Sequence, residues 1–382
     1  MHTLHLPGIT PEHFLQHYWQ RQPLLIRQGF RQFDDPISPD ELAGLACEEQ
    51  VESRLVYRRD GRWQAETGPF DSYEHLGERA WCLIVQAANH WSPEVQALVE
   101  PFSFLPKWRL DDVMISYSTT DGGVGPHIDR YDVFICQGSG KRRWRVGARG
   151  NHREFAAHEA LLHTDPFEPI IDEVLEAGDI LYIPPGFPHD GVTLEHAMSF
   201  SVGFRARSAC DMFSALADHL IDKELGNELL ADPGRPLHTQ QGRIDGADFA
   251  RIRAQLQAVL DDEALLADVA GGYLSRNKCQ LDLQALESPY DERELAEALA
   301  NDGTLLRTGG LRCFYVDATA GQGVCYVDGE RLDFGPEGAG FVPVLCDHER
   351  LDAASLAPWL SQPAILAALT RWVNAGYWYL AE

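Results

Sequence analysis

Between Gly122 and Gly191 the chain carries Gly125-Pro126-His127-Ile128-Asp129 and then, 62 positions on from that histidine, His189 at the end of Pro184-Pro185-Gly186-Phe187-Pro188-His189. Two imidazoles and one carboxylate can cap one triangular face of a metal ion and leave the opposite face open, as in non-haem Fe(II) oxygenases. A His-x-Asp pair alone is common in solvated turns. The second loop adds weight, because proline fixes φ at about −65° and can hold a ligand in place before metal arrives. Without a metal, the same loop reads as a rigid turn closing a strand beside a buried, hydrogen-bonded histidine.

The surroundings read as β structure. Met114 to Ser118, Asp132 to Gln137, Arg142 to Val146, Ile180 to Ile183 and Met198 to Phe204 are short runs punctuated by glycine and proline. That is the pattern of a sandwich or jelly-roll barrel with a central cavity. Strand side chains alternate faces, so His127 and Asp129, at i and i+2, share one side, the barrel interior. Lys141-Arg142-Arg143-Trp144-Arg145-Val146 should likewise turn alternate residues inward. A cation inside a barrel is costly unless it meets an anion, so an inward arginine implies a bound carboxylate or phosphate. Fe(II), the Asp129 carboxylate, a dianionic 2-oxo acid and one arginine carry no net formal charge together, so a buried site can hold that set.

Outward from this region, Thr10-Pro11-Glu12 predicts an N-cap and a short helix ended by Pro23, Leu24-Leu25-Ile26 a buried strand, and Ser38-Pro39-Asp40-Glu41 a capping box opening a helix to about Glu48. Arg54 to Arg59 and Arg62 to Thr67 flank Asp60-Gly61, a two-residue hairpin signal. After Phe204 the period changes to helical: Asp211 to Leu225 carries Phe213, Leu216 and Leu220, the next helix carries Phe249, Ile252, Leu256 and Val259, and a third runs from Glu263 to about Ser275. These stripes have little sequence around them to bury them. They pack either on a partner, a second copy of the chain, or on the barrel itself. The last hundred residues read as a small α+β unit: a helix from about Asp291 to Ala300, strands Thr304 to Leu306 and Leu311 to Asp317, a hairpin about Asp328-Gly329, and a final helix capped by Ser361-Gln362-Pro363. A winged-helix module fits this order, and its few Lys and Arg favour a protein-contact role over DNA.

Length and composition bound the rest. The 382 residues, 45% of them hydrophobic, supply two or three domain cores. The formal charge of −26 argues against direct nucleic-acid binding and favours a cationic protein partner, although plain solubility accounts for it equally. Eight scattered cysteines without a Cys-x-x-Cys suggest neither a zinc ribbon nor a disulfide framework. No basic region precedes an apolar run at the N-terminus and no stretch suits a membrane span, so the expected location is the cytoplasm.

Gly125-Pro126-His127-Ile128-Asp129, Lys141-Arg142-Arg143-Trp144-Arg145-Val146-Gly147 and Gly178-Asp179-Ile180-Leu181-Tyr182-Ile183-Pro184-Pro185-Gly186-Phe187-Pro188-His189 resemble the Jumonji-C (JmjC) 2-oxoglutarate oxygenases. Within them the chain is most similar to the bacterial ribosomal oxygenases that hydroxylate an arginine of a large-subunit ribosomal protein. The likeness extends from Ser38-Pro39-Asp40-Glu41 and Leu83-Ile84-Val85-Gln86-Ala87 through Ser201-Val202-Gly203-Phe204 to the aromatic C-terminus. It implies a mainly β fold with α: a double-stranded β-helix (cupin-like JmjC barrel) over residues 1–207, a helical dimerisation region over 208–285, and a winged-helix-like domain over 286–382. It also implies His127, Asp129 and His189 as iron ligands and catalytic centre, Arg142 as the partner of the distal 2-oxoglutarate carboxylate, and Ser116 as a second contact to that co-substrate. The implied reaction turns 2-oxoglutarate and O2 into succinate and CO2 while hydroxylating an arginine carbon, at carbon 3, of ribosomal protein L-sixteen. The implied assembly is a homodimer, without nucleic acid or membrane.

An arginine entering the pocket needs carboxylates and aromatic faces, for which Tyr117, Asp121 and Asp132 are the nearby candidates, with ordinary packing the alternative for each. His152, His158, His163 and His196 lack ligand spacing and read as surface or loop residues. Two rival functions stay open: another JmjC chemistry such as N-demethylation, or a cupin isomerase, against which the absence of His-x-His speaks; and a non-enzymatic binding module.

Overall fold

The computed structural model describes residues 3–237, 239–301 and 303–381. The chain divides into two compact units: one runs through Ala206 and regains Lys278–Asp282 and Thr308–Gly310, and the other takes Arg207–Asn277, Leu283–Arg307 and the chain from Leu311 on. The helices after Phe204 and the C-terminal α+β elements thus share one unit.

The first unit holds fourteen strands: β1 (Leu24–Ile26), β2 (Ser53–Arg59), β3 (Arg62–Thr67), β4 (Trp81–Val85), β5 (Leu110–Ser118), β6 (His127–Ile128), β7 (Asp132–Gln137), β8 (Lys141–Gly147), β9 (Glu154–His158), β10 (Leu161–Thr164), β11 (Pro169–Leu175), β12 (Ile180–Ile183), β13 (Pro188–Glu195) and β14 (Ala197–Phe204). An eight-stranded sheet runs β1-β12-β7-β14-β5-β4-β2-β3 and a four-stranded one β11-β8-β13-β6, every pairing antiparallel. This is the expected jelly-roll sandwich. Val133, Ile135, Leu181 and Ile183 point to the core that also holds Trp144 and Val146, whereas Phe134, Cys136, Ile180 and Tyr182 join a second core with Phe14, Phe30 and Phe102 of the N-terminal elements. Both faces of the central strands are therefore covered, which is why Ile180-Leu181-Tyr182-Ile183 shows no polar alternation.

Local signals set most boundaries. Ser38 Oγ accepts from the Glu41 N–H while the Glu41 carboxylate accepts from the Ser38 N–H, but that helix stops at Leu45 rather than Glu48. The first helix, Pro11–His17, ends well before Pro23. Asp60 and Gly61 both take positive φ, 52° and 72°, as a tight hairpin turn requires.

In the second unit helices Ala209–Asp222, Gly246–Leu260 and Glu263–Ser275 precede two three-stranded sheets, Arg350–Leu351/Leu305–Arg307/Trp378–Leu380 and Cys313–Phe314/Val324–Val327/Glu330–Asp333. Two expectations need correction. The strand over Leu311 to Asp317 shrinks to Cys313–Phe314, because a helical turn starts at Asp317. The final helix, Pro363–Ala375, is preceded by Gln362, which makes no side-chain cap. Phe213, Phe249 and Leu256 stay 58%, 56% and 64% exposed, whereas Leu216 of the first stripe is buried, so the stripes are covered only in part within the chain. Among the described residues no helix is long and apolar enough to cross a membrane.

Candidate active site

Strand pairing builds the centre. β6 and β13 run antiparallel with His127 directly opposite His189, which closes the long sequence gap and leaves the two rings 4.3 Å apart. Gly125 (φ +82°) turns the chain into β6, and a Cβ there would collide with His163 and Trp63, so only glycine fits. Gly186 of the second loop donates its N–H to the Asp129 carbonyl at 2.9 Å, locking the two ligand loops together.

The tautomers follow from the partners. His127 Nδ1 lies 2.9 Å from the Gly125 carbonyl and His189 Nδ1 lies 3.0 Å from the Phe187 carbonyl. A carbonyl only accepts, so each Nδ1 carries hydrogen and each neutral ring keeps its lone pair at Nε2. Those Nε2 atoms face Asp129, at 3.9 Å for His127 and 3.5 Å for His189, and the three donor groups lie within 4.8 Å of one another. Burial and the neighbouring His189 pull His127 down to about 4, against the attraction of Asp129. Burial pushes the Asp129 carboxyl up, but in the metal-free site a protonated His189 donating to it, the charge of either ring when protonated, and the Tyr131 hydroxyl outweigh burial and leave the group at about 2. Burial also works against a charged His189, yet Asp129 more than reverses it and raises that imidazole. One firm anion thus sits between two nitrogens, a donor set that suits a divalent cation.

One cavity of about 280 Å³ joins this cluster to Arg142 and Ser116. Arg142 is 3% exposed, and its Nη1 donates to Ser116 Oγ at 3.1 Å and Ser199 Oγ at 3.4 Å, while Nη2 donates to the Gly191 carbonyl at 3.3 Å. Its Nε has no partner, and among the described residues no carboxylate lies within 4.0 Å of it. Burial depresses the guanidinium. A buried cation met only by neutral oxygens and the Trp144 ring is what an incoming carboxylate would complete. The other cations of that strand face out and are paired: Lys141 with Glu176, Arg143 with Asp172 and Arg145 with Asp190. Strand alternation selects Arg142.

The three candidates for gripping a substrate arginine do not line this cavity. Tyr117 neighbours Ser116 on β5 and so faces the opposite way, where its hydroxyl meets His196 Nδ1 at 2.8 Å. Asp121 is ion-paired with Arg79, and Asp132 is buried beneath the Tyr182 hydroxyl (2.6 Å) and Gln20 (2.9 Å). Asp112 lies behind the wall rather than on it, accepting a hydrogen bond from the cavity residue Gln86, and burial pushes it up to about 6. His163, expected on the surface, is 3% exposed and lines the cavity, its Nε2–H donating to the Val124 carbonyl at 2.8 Å. Ser199, beside Arg142, and the cavity residues Tyr131 and Trp144 are further members of the site. The inward alternation of the Lys141–Val146 run could have flagged Trp144; nothing local marks Ser199.

Comparison with known proteins follows this geometry. The JmjC domain family matches residues 97–212, and the ROXA-like winged helix family matches 258–379. The chain is 45% identical over 366 residues to the ribosomal protein uL16 3-hydroxylase of Escherichia coli, covering 96% of each chain. It is 32% identical over 401 residues to a probable ribosomal oxygenase of Haemophilus influenzae, covering 98% of this chain and 96% of that one. The structure of YcfD, a ribosomal oxygenase from Escherichia coli, in complex with cobalt and 2-oxoglutarate superposes with a TM-score of 0.91 at 42% identity, covering all of both chains.

Proposed function

This chain belongs to the JmjC-domain ribosomal oxygenases, enzymes that depend on 2-oxoglutarate, and from that premise we propose that it hydroxylates an arginine side-chain carbon, at carbon 3, of the large-subunit ribosomal protein uL16. His127, Asp129 and His189 hold Fe(II), and Arg142 with Ser116 anchors 2-oxoglutarate. The carrying observation is the single cavity that joins the two-histidine, one-carboxylate cluster to a buried arginine lacking a counter-ion. Bound there, Fe(II) would supply the redox chemistry that couples the oxidative decarboxylation of 2-oxoglutarate by O2, to succinate and CO2, to hydroxylation of a C–H bond.

The chain's own residues prepare that chemistry. The Gly125 and Phe187 carbonyls fix both rings, so the metal meets oriented lone pairs and little reorganisation is needed. Arg142 would hold one end of the co-substrate and so restrict the poses its reactive end can take beside His127, Asp129 and His189. Val133, Ile135 and Trp144 line the cavity with apolar surface and limit the water that could intercept the oxidant. The charge of −26 draws a basic protein to the mouth.

The test is a basic uL16 peptide incubated with enzyme, Fe(II) and 2-oxoglutarate. It should gain a single oxygen on an arginine carbon, more slowly as added salt screens the attraction, and its Arg→Lys analogue should react poorly. Equal reaction of the lysine peptide, or formaldehyde from a methylated one, would replace this reading with another JmjC chemistry. We also infer a homodimer through residues 208–278, supported by the exposed Phe213, Phe249 and Leu256. A dimeric mass is expected in sedimentation at micromolar concentration, and a monomer there would overturn it.

A further inference from the structure

Arginines over much of the catalytic unit are paired: Arg27 with Glu173 and Asp179, Arg143 with Asp172, Arg145 with Asp190 and Arg205 with Asp111, all at 2.6 or 2.7 Å. The β2–β3 hairpin differs. Arg54, Arg58, Arg59 and Arg62 fall within nine residues, and among the described residues none of them has a carboxylate within 4.0 Å. Arg58, Arg59 and Arg62 are exposed. Arg59 and Arg62 stand directly opposite each other across the two strands, an arrangement that destabilises a sheet unless an anion lies between. Asp60 shapes the turn and pairs with neither.

The guanidinium groups are also held in place. That of Arg58 lies 4.1 Å over the Trp63 ring and that of Arg59 lies 5.4 Å over the Tyr57 ring, so less side-chain freedom is lost when a ligand arrives. The hairpin adjoins the active-site cavity. Trp63 meets His163 of the cavity wall edge-on at 4.8 Å, and Arg54, on the same face of β2 as Arg58, itself lines the cavity. From Arg54 to Arg58 is about 13 Å of strand along the cavity face of β2, whereas Arg59 and Arg62 stand on the other face, so the cations gather around the hairpin tip from both sides.

We propose that the tip of this hairpin docks a carboxylate-rich stretch of the substrate polypeptide that continues outward from the cavity, with Arg58 on one face and Arg59 and Arg62 on the other as its contacts. The proposal rests on the reading that the substrate is a basic protein. An acidic enzyme body attracts the basic bulk of such a chain, and one basic hairpin attracts its acidic stretch, so the two together set the direction in which the chain crosses the mouth. A nucleic acid fits less well, because its phosphates continue past the hairpin onto a surface whose net charge is −26.

The experiment compares two basic peptides that share a central arginine and differ only in a run of glutamates at one end, using the full chain and its Arg59→Glu/Arg62→Glu variant. The glutamate peptide should show the lower KM on the unmodified enzyme, and the variant should raise that KM about tenfold at low salt. The variant should leave kcat, the KM for 2-oxoglutarate and the KM of the plain peptide unchanged, and replacing the glutamates by lysines should restore affinity for it. Identical KM values for the two peptides, or an equal effect of the variant on both, would overturn the proposal. So would a variant that loses only the binding of a fluorescent single-stranded RNA. Fluorescence anisotropy of labelled peptides reads docking without turnover, so failure of both peptides to gain oxygen would count against the substrate reading alone.

Discussion

Replacing Asp129 by alanine is expected to cut 2-oxoglutarate turnover by more than about a hundredfold while the protein stays folded. Asp129 is the one carboxylate on the cavity wall among the described residues, and it sits between the two Nε2 atoms. Without it, two neutral imidazoles must hold a divalent cation in a buried site with no protein anion to balance it, and both the affinity and the facial geometry go. The fold has no need of that side chain. The bond that locks the ligand loops runs from Gly186 N–H to the backbone carbonyl of residue 129 and survives the change. Calorimetric metal titration should therefore show binding lost in parallel with turnover, while circular dichroism and the melting temperature of the metal-free protein stay close to the parent. Normal turnover by the variant would remove Asp129 from the metal centre.

Much of this was legible because it is written locally. The Ser38 capping box, the Asp60-Gly61 turn and the inward face of the Lys141 to Val146 run each follow from a few neighbouring residues, and each is present. The two-loop pattern marked His127, Asp129 and His189, and the structure brings them together. What escaped depends on pairing between distant strands. β9 and β11 have largely exposed, charged faces and show no apolar alternation, so they are recognisable only once β10 and β8 lie beside them. His163 reads as a loop residue until β10 turns it against Val124. Tyr117, Asp121 and Asp132 looked close because closeness was judged along the sequence, whereas alternation sends Tyr117 away from the cavity and Tyr182 and Gln20 already occupy Asp132.

Replacing Arg142 by methionine should raise the apparent KM for 2-oxoglutarate by roughly two to four orders of magnitude, since breaking a buried, hydrogen-bonded charge pair costs about 3–5 kcal/mol. The same substitution should make the ligand-free protein more stable. In that state the guanidinium is buried, hydrogen-bonds only Ser116, Ser199 and the Gly191 carbonyl, and leaves Nε without a partner. Methionine fills much of that space beside Trp144 without a charge to desolvate. The two effects have opposite signs, which separates a co-substrate anchor from a residue kept for stability. For the parent, 2-oxoglutarate at a hundred times its Kd should add about 2.7 kcal/mol of stability, seen as a rise in melting temperature; for the variant at the same concentration that rise should vanish. An Arg142→Met protein that melts lower and still responds to 2-oxoglutarate would make the arginine a structural residue, and would require the anion to be held by another group in the cavity, of which Arg54 is the remaining arginine.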